Sequence, residues 1–76
     1  MRKAIEQYSG NNLKLRREAA LMTQAQLAQL VGVNLKTVGF WEQGVRFPSL
    51  THVRKVREVL FQAMNELAKQ EKASNN

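Results

Sequence analysis

The sequence predicts an all-α domain, a small bundle of four to five helices with an extended C-terminal one, and three observations carry that expectation. Apolar residues recur in steps of three and four within short segments, which is the spacing of one helix face. Capping residues and glycines punctuate those segments, with Thr23 and Asn34 at two starts and Gly32 and Gly44 at the matching ends. From residue 50 to residue 69 neither Gly nor Pro interrupts the chain.

Residues 1–12 read as an N-terminal arm. Ala4, Ile5 and Tyr8 offer one apolar turn, but Ser9-Gly10-Asn11-Asn12 is a breaker and capping cluster, so the arm is expected to fray, with Arg2 and Lys3 on it. The first clear helix is expected over 13–20, with Leu13, Arg16, Arg17 and Ala20 turned inward. Thr23 then caps a helix on which Leu27, Ala28 and Val31 share a face, and Gly32 stands where a positive φ ends it. Only Val33 separates that glycine from Asn34, the cap of the next helix over 35–43. A connection this short cannot fold the second helix back antiparallel. The two must cross steeply, held by Leu27, Ala28, Val31, Val33, Val38 and Trp41, which is a helix-turn-helix. Residues 45–49 read as a loop, and Pro48 or Ser49 starts a last helix carrying Val53, Val56, Leu60, Met64 and Leu67 on one stripe. Residues 71–76 have little to bury and are expected to fray, so the domain is placed at 13–70.

Composition narrows the function. Seventy-six residues are expected to make one small domain with a thin core. There is no Cys, no Asp and a single His, His52, and the six Glu are scattered singly. Neither a metal cluster nor a Ser-His-Asp triad can be assembled, so no metal, no cofactor and no enzyme activity are expected. His52, on the first turn of the last helix, reads as a surface residue. No apolar run is long enough to span a bilayer, and residues 1–10 lack the apolar core of a signal peptide, so the expected location is the cytoplasm. The net charge of +6 and the pI near 10.4 point to a polyanion. Because the apolar residues are divided among several short helices, nucleic acid is a better partner than a membrane surface. Arg54, Lys55 and Arg57 lie off the apolar stripe and read as a solvated face.

The run Thr23-Gln24, Leu27-Ala28, Val31-Gly32-Val33, Thr37-Val38, Trp41-Glu42-x-Gly44 and Pro48-Ser49-Leu50 resembles the lambda-repressor-like DNA-binding domain of phage repressors and Cro proteins, the XRE family. That resemblance implies a sequence-specific regulator of transcription, a repressor of a phage, plasmid or other mobile element. Its partner would be double-stranded DNA carrying a pseudo-palindromic operator, bound by a homodimer with no small-molecule ligand. The helix over 35–43 would lie in the major groove. Asn34, Leu35, Lys36, Thr37 and Phe40 would contact bases, and Thr23, Gln24, Gln43 and Arg46 the phosphates. The same resemblance pairs Arg17 with Glu42 in a structural salt bridge. The chain departs from the family at several places, one of them Phe40, where most members carry a polar residue. Leu21 stands where a glycine commonly closes the first helix, Gly39 replaces the usual Ser, and Phe61-Gln62-Ala63 replaces a glycine-containing break, so the last helix is expected to run on.

Three further expectations come from the residues themselves. Phe40 shares the outward side of Leu35 and Lys36 and should be exposed, while Trp41 turns inward with Val38. An exposed Phe40 suits a thymine methyl, or else a protein surface, and the alternative reading is an antitoxin-like adaptor that uses the fold to clamp a partner. Gly39 costs about 1 kcal/mol of helix propensity relative to Ala, which a close approach of the backbone to phosphate or to another helix would explain. The stripe through Leu60, Met64 and Leu67 is longer than the core needs and is expected to pair two copies.

Overall fold

The computed structural model describes residues 2–74, which form five helices: α1 (Arg2–Gln7), α2 (Gly10–Ala19), α3 (Gln24–Val31), α4 (Leu35–Gln43) and α5 (Leu50–Ser74). The helix α4 packs on α2 and α3, while α5 lies beneath α3 and α2 and also holds α1. Leu13, Ala20, Leu27, Ala28, Val38, Trp41, Val56, Val59 and Leu60 make one core, with Tyr8, Met22, Val31, Val33 and Ala63 at its margin.

The central pair has the expected caps. The Thr23 hydroxyl accepts from the Gln26 N–H at 3.0 Å while the Gln26 side-chain oxygen accepts from the Thr23 N–H at 2.8 Å, which closes a reciprocal box at the head of α3. Gly32 ends α3 at φ +86, where a Cβ would be strained. The Asn34 side-chain oxygen accepts from the Lys36 N–H at 3.0 Å and starts α4. At α5 the Ser49 hydroxyl accepts from the His52 N–H at 3.2 Å, so Ser49 is the cap and buried Pro48 lies ahead of it.

Four expectations need correction. Residues 2–7 form a helix where an arm was expected, and polar side chains that follow close its end. The Ser9 hydroxyl donates to the Ile5 carbonyl, and Asn12 and Arg16 donate to the carbonyls of Glu6 and Gln7 at 3.1 and 2.9 Å. Arg16 is exposed, not inward, and its guanidinium lies 4.8 Å from the Tyr8 ring centroid. His52 is half-buried, its ring centroid 5.3 Å from that of Trp41. The backbone of α5 is helical to Ser74, past Glu71 where the expected tail begins; Asn75 and Asn76 lie outside the described residues.

Leu21, where the family commonly has glycine, takes φ +55, a left-handed conformation that costs a branched side chain about 1–2 kcal/mol. It does so at the surface, 75% exposed. The continuous α5 follows from the absence of any helix breaker after Pro48, as the run Phe61-Gln62-Ala63 predicts. At about 1.5 Å per residue its 25 residues span nearly the whole long dimension of 44 Å.

Candidate nucleic-acid interface

The position of α4 is fixed by a polar node. Arg17, 8% exposed, donates from Nε to Glu42 Oε2 at 2.7 Å and from Nη2 to Oε1 at 3.0 Å, a bidentate pair that joins α2 to the last turn of α4. Its Nη1 donates to the Met22 carbonyl at 2.8 Å. Gln24 Nε2 donates to Glu42 Oε1 at 3.0 Å, so one carboxylate ties three helices. The hydrogen bond that Arg17 donates to Glu42 is the main reason the Arg17 pKa is raised, against the lowering effect of its own burial, with the charges of Glu42 and Glu18 adding to the rise. A group whose folded pKa is raised contributes stability that is present below its unfolded pKa and is lost only as pH rises through the folded value. The bridge therefore persists through alkaline titration up to the guanidinium range.

With α4 held this way, Val38 and Trp41 are buried and the opposite side faces outward. At its capped N-terminus Leu35 is 49% exposed, Lys36 is exposed and Thr37 is half-buried. The hydroxyl of Thr23 and the amide oxygen of Asn34 are used as caps, and Gln24 spends its amide on Glu42. What Gln24 keeps facing outward is its place on the first turn of α3, where N–H groups have no partner within the helix. Gln43 and Arg46 are exposed at the far end of α4.

Phe40 is half-buried and not exposed as expected. Gly44, at φ +75, turns the chain back so that the N–H groups of Val45 and Arg46 both bond to the Phe40 carbonyl, at 3.0 and 3.3 Å. The Arg46 guanidinium then lies over the Phe40 ring, 5.3 Å from its centroid. Sequence reasoning placed both residues but missed their contact, because it read Gly44 only as the end of the helix and not as a turn that leads Arg46 back over Phe40.

Gly39 has open space around it: a Cβ built there meets no heavy atom within 4 Å. A close approach by another helix is thus not its reason. Gly39→Ala is expected to raise stability by about 1 kcal/mol in chemical denaturation. A variant no more stable than the parent would show that the helix gains nothing there.

Arg54 and Arg57 border a depression with Ala4, Gln7 and Tyr8, on the α1 side of α5. Among the described residues no group of His and Glu is placed to hold a metal ion, and no helix is long and apolar enough to cross a membrane.

Comparison with curated proteins and with solved structures gives no match. Residues 13–67 match the family described as helix-turn-helix, of the XRE, Cro/C1 type. This is a family of DNA-binding regulators and not of enzymes. With the motif, the caps and the Arg17–Glu42 node where the residues place them, the chain belongs to the XRE-type helix-turn-helix family and is a DNA-binding protein of the transcription-regulator kind.

Proposed function

We propose that the protein is a sequence-specific repressor of a phage, plasmid or other mobile element, acting in the cytoplasm as a homodimer on a pseudo-palindromic duplex. The observation that carries the reading is the exposed pair Leu35 and Lys36 at the capped head of a helix whose other side is locked into the core. In the major groove Lys36 would donate to guanine and Leu35 would meet a thymine methyl, with Asn34 and Thr37 flanking. The head of α3 around Thr23 and Gln24, together with Gln43 and Arg46, would hold phosphates on either side.

A selection from random duplexes at two salt concentrations tests this. The expected result is a pseudo-palindrome whose preference relaxes at one symmetric pair of positions in Lys36→Ala, by about 1–3 kcal/mol per mismatch. Sequence-blind, salt-sensitive retention would overturn it. The adaptor alternative rested on exposed Leu35 and Phe40; with Phe40 beneath Arg46, only Leu35 still supports it.

For the dimer, Leu60 is unavailable, since it is 5% exposed within its own core. Met64, 46% exposed, half-buried Leu67 and Phe61, 66% exposed, remain on α5. An antiparallel pairing of two α5 helices centred on Met64 sets Phe61 against Leu67 and Arg57 against Glu71 of the second copy. A two-fold dimer on DNA needs its recognition helices about 34 Å apart. Leu67→Glu is expected to sediment as a monomer where the parent is a dimer. A parent that is monomeric at high micromolar concentration, even with duplex bound, rules out the pairing.

A further inference from the structure

We infer that Phe40 is a positioning residue: its ring holds the Arg46 guanidinium at the outer edge of α4, against the duplex backbone, so that Phe40 adds to affinity and not to base choice. The inference rests on the duplex-binding reading above and assigns Phe40 a different role from the base contact its helical position suggests.

Three observations support it. The guanidinium sits 5.3 Å from the ring centroid, within the range of a cation–π contact. The backbone of Arg46 is itself anchored to Phe40, through the N–H bond to its carbonyl at 3.3 Å, with the Val45 N–H on the same oxygen at 3.0 Å. The ring is only half-exposed, so the face that would meet a thymine methyl is partly spent on Arg46. An arginine at the surface otherwise spreads its charge over many rotamers, and ordering them on binding weakens each contact it makes. A ring beneath it narrows that spread before the duplex arrives. Arg46 is the residue that carries charge to a phosphate, and a phosphate contact acts on every sequence alike.

The test uses the full chain, an arbitrary duplex and the selected one with its single-base variants, titrated over a range of salt. Phe40→Leu removes the π face and keeps an apolar side chain of similar bulk, while Phe40→Tyr keeps the face. Phe40→Leu is expected to weaken binding to every duplex by the same factor, about two- to fivefold. The slope of log K against log salt should fall towards that of Arg46→Ala, which loses about 0.9. Phe40→Tyr should bind as the parent does, and Phe40→Leu should cost nothing further on an Arg46→Ala background. A change in the ranking of single-base variants at an unchanged salt slope would make Phe40 a base reader and overturn the inference. Additive losses from Phe40→Leu and Arg46→Ala would also overturn it, as would a fall in melting temperature that accounts for the binding loss. A parent that binds no duplex would bring down the proposed function itself, whereas any of the other results overturns the role of Phe40 alone.

Discussion

Glu42→Ala is expected to lower stability by about 3 kcal/mol or more, because it leaves the buried Arg17 guanidinium and the Gln24 amide without their acceptor. Glu42 itself is nearly enclosed, its side chain 4% exposed, so the pair is little screened by solvent. Against a total stability of about 5–15 kcal/mol for domains of ordinary size, that loss should shift the denaturation midpoint strongly. Replacing both partners distinguishes the cost of a stranded charge from the worth of the pair. Arg17→Met with Glu42→Leu should recover more than half of the loss, since apolar side chains of similar bulk need no acceptor. A single variant that melts within a degree or two of the parent would mean that Arg17 finds another partner at no cost.

Trp41→Ala should cost about 3–5 kcal/mol, the usual range for removing a large aromatic from a core. Trp41 is 3% exposed, on the inner side of α4 with Val38, and its ring meets His52 from the first turn of α5. Deleting it opens a cavity between the recognition helix and the head of the longest helix. The checks are far-ultraviolet circular dichroism and urea denaturation, with a midpoint that drops or a transition that broadens. If the variant unfolds at the parent's midpoint, the indole contributes nothing to the core.

The parts of the fold that were legible in the sequence are those written in local chemistry. Thr23, Gly32, Asn34 and Gly44 each act within a few residues of themselves, and all sit where their side chains or φ angles require. The Arg17–Glu42 pair spans 25 residues and was legible only by resemblance to a family. The helix α1 was not legible, because Ser9, Asn12 and Arg16 close its end through the carbonyls of Ile5, Glu6 and Gln7, whereas Ser9 and Asn12 read as breakers in isolation and Arg16 read as part of the next helix's inner face. On α4, the inward Val38 and Trp41 and the outward Leu35 and Lys36 were read correctly from helical spacing. Engagement was not: Gln24 is drawn to Glu42, Phe40 is covered by Arg46 and Leu60 is consumed by the core. The first and the last depend on what another element brings near, and the second on the turn after Gly44, none of which periodicity encodes.

The double bond of Arg17 to Glu42 has a geometric consequence. Apolar packing is nearly indifferent to direction, so a helix seated only by Val38 and Trp41 could roll about its own axis at small cost. A roll of about 20° at a helix radius of about 5–6 Å carries side-chain tips some 2 Å sideways. Hydrogen bonds hold over a window of about half an ångström, so a drift of that size would misalign any group presented to a partner. Two parallel N–H···O bonds in the plane of one carboxylate resist rotation as well as separation. Glu42 thus acts as an angular stop, so the azimuth of α4 is fixed by a polar contact on its inner side while the residues on its outer side are free to vary.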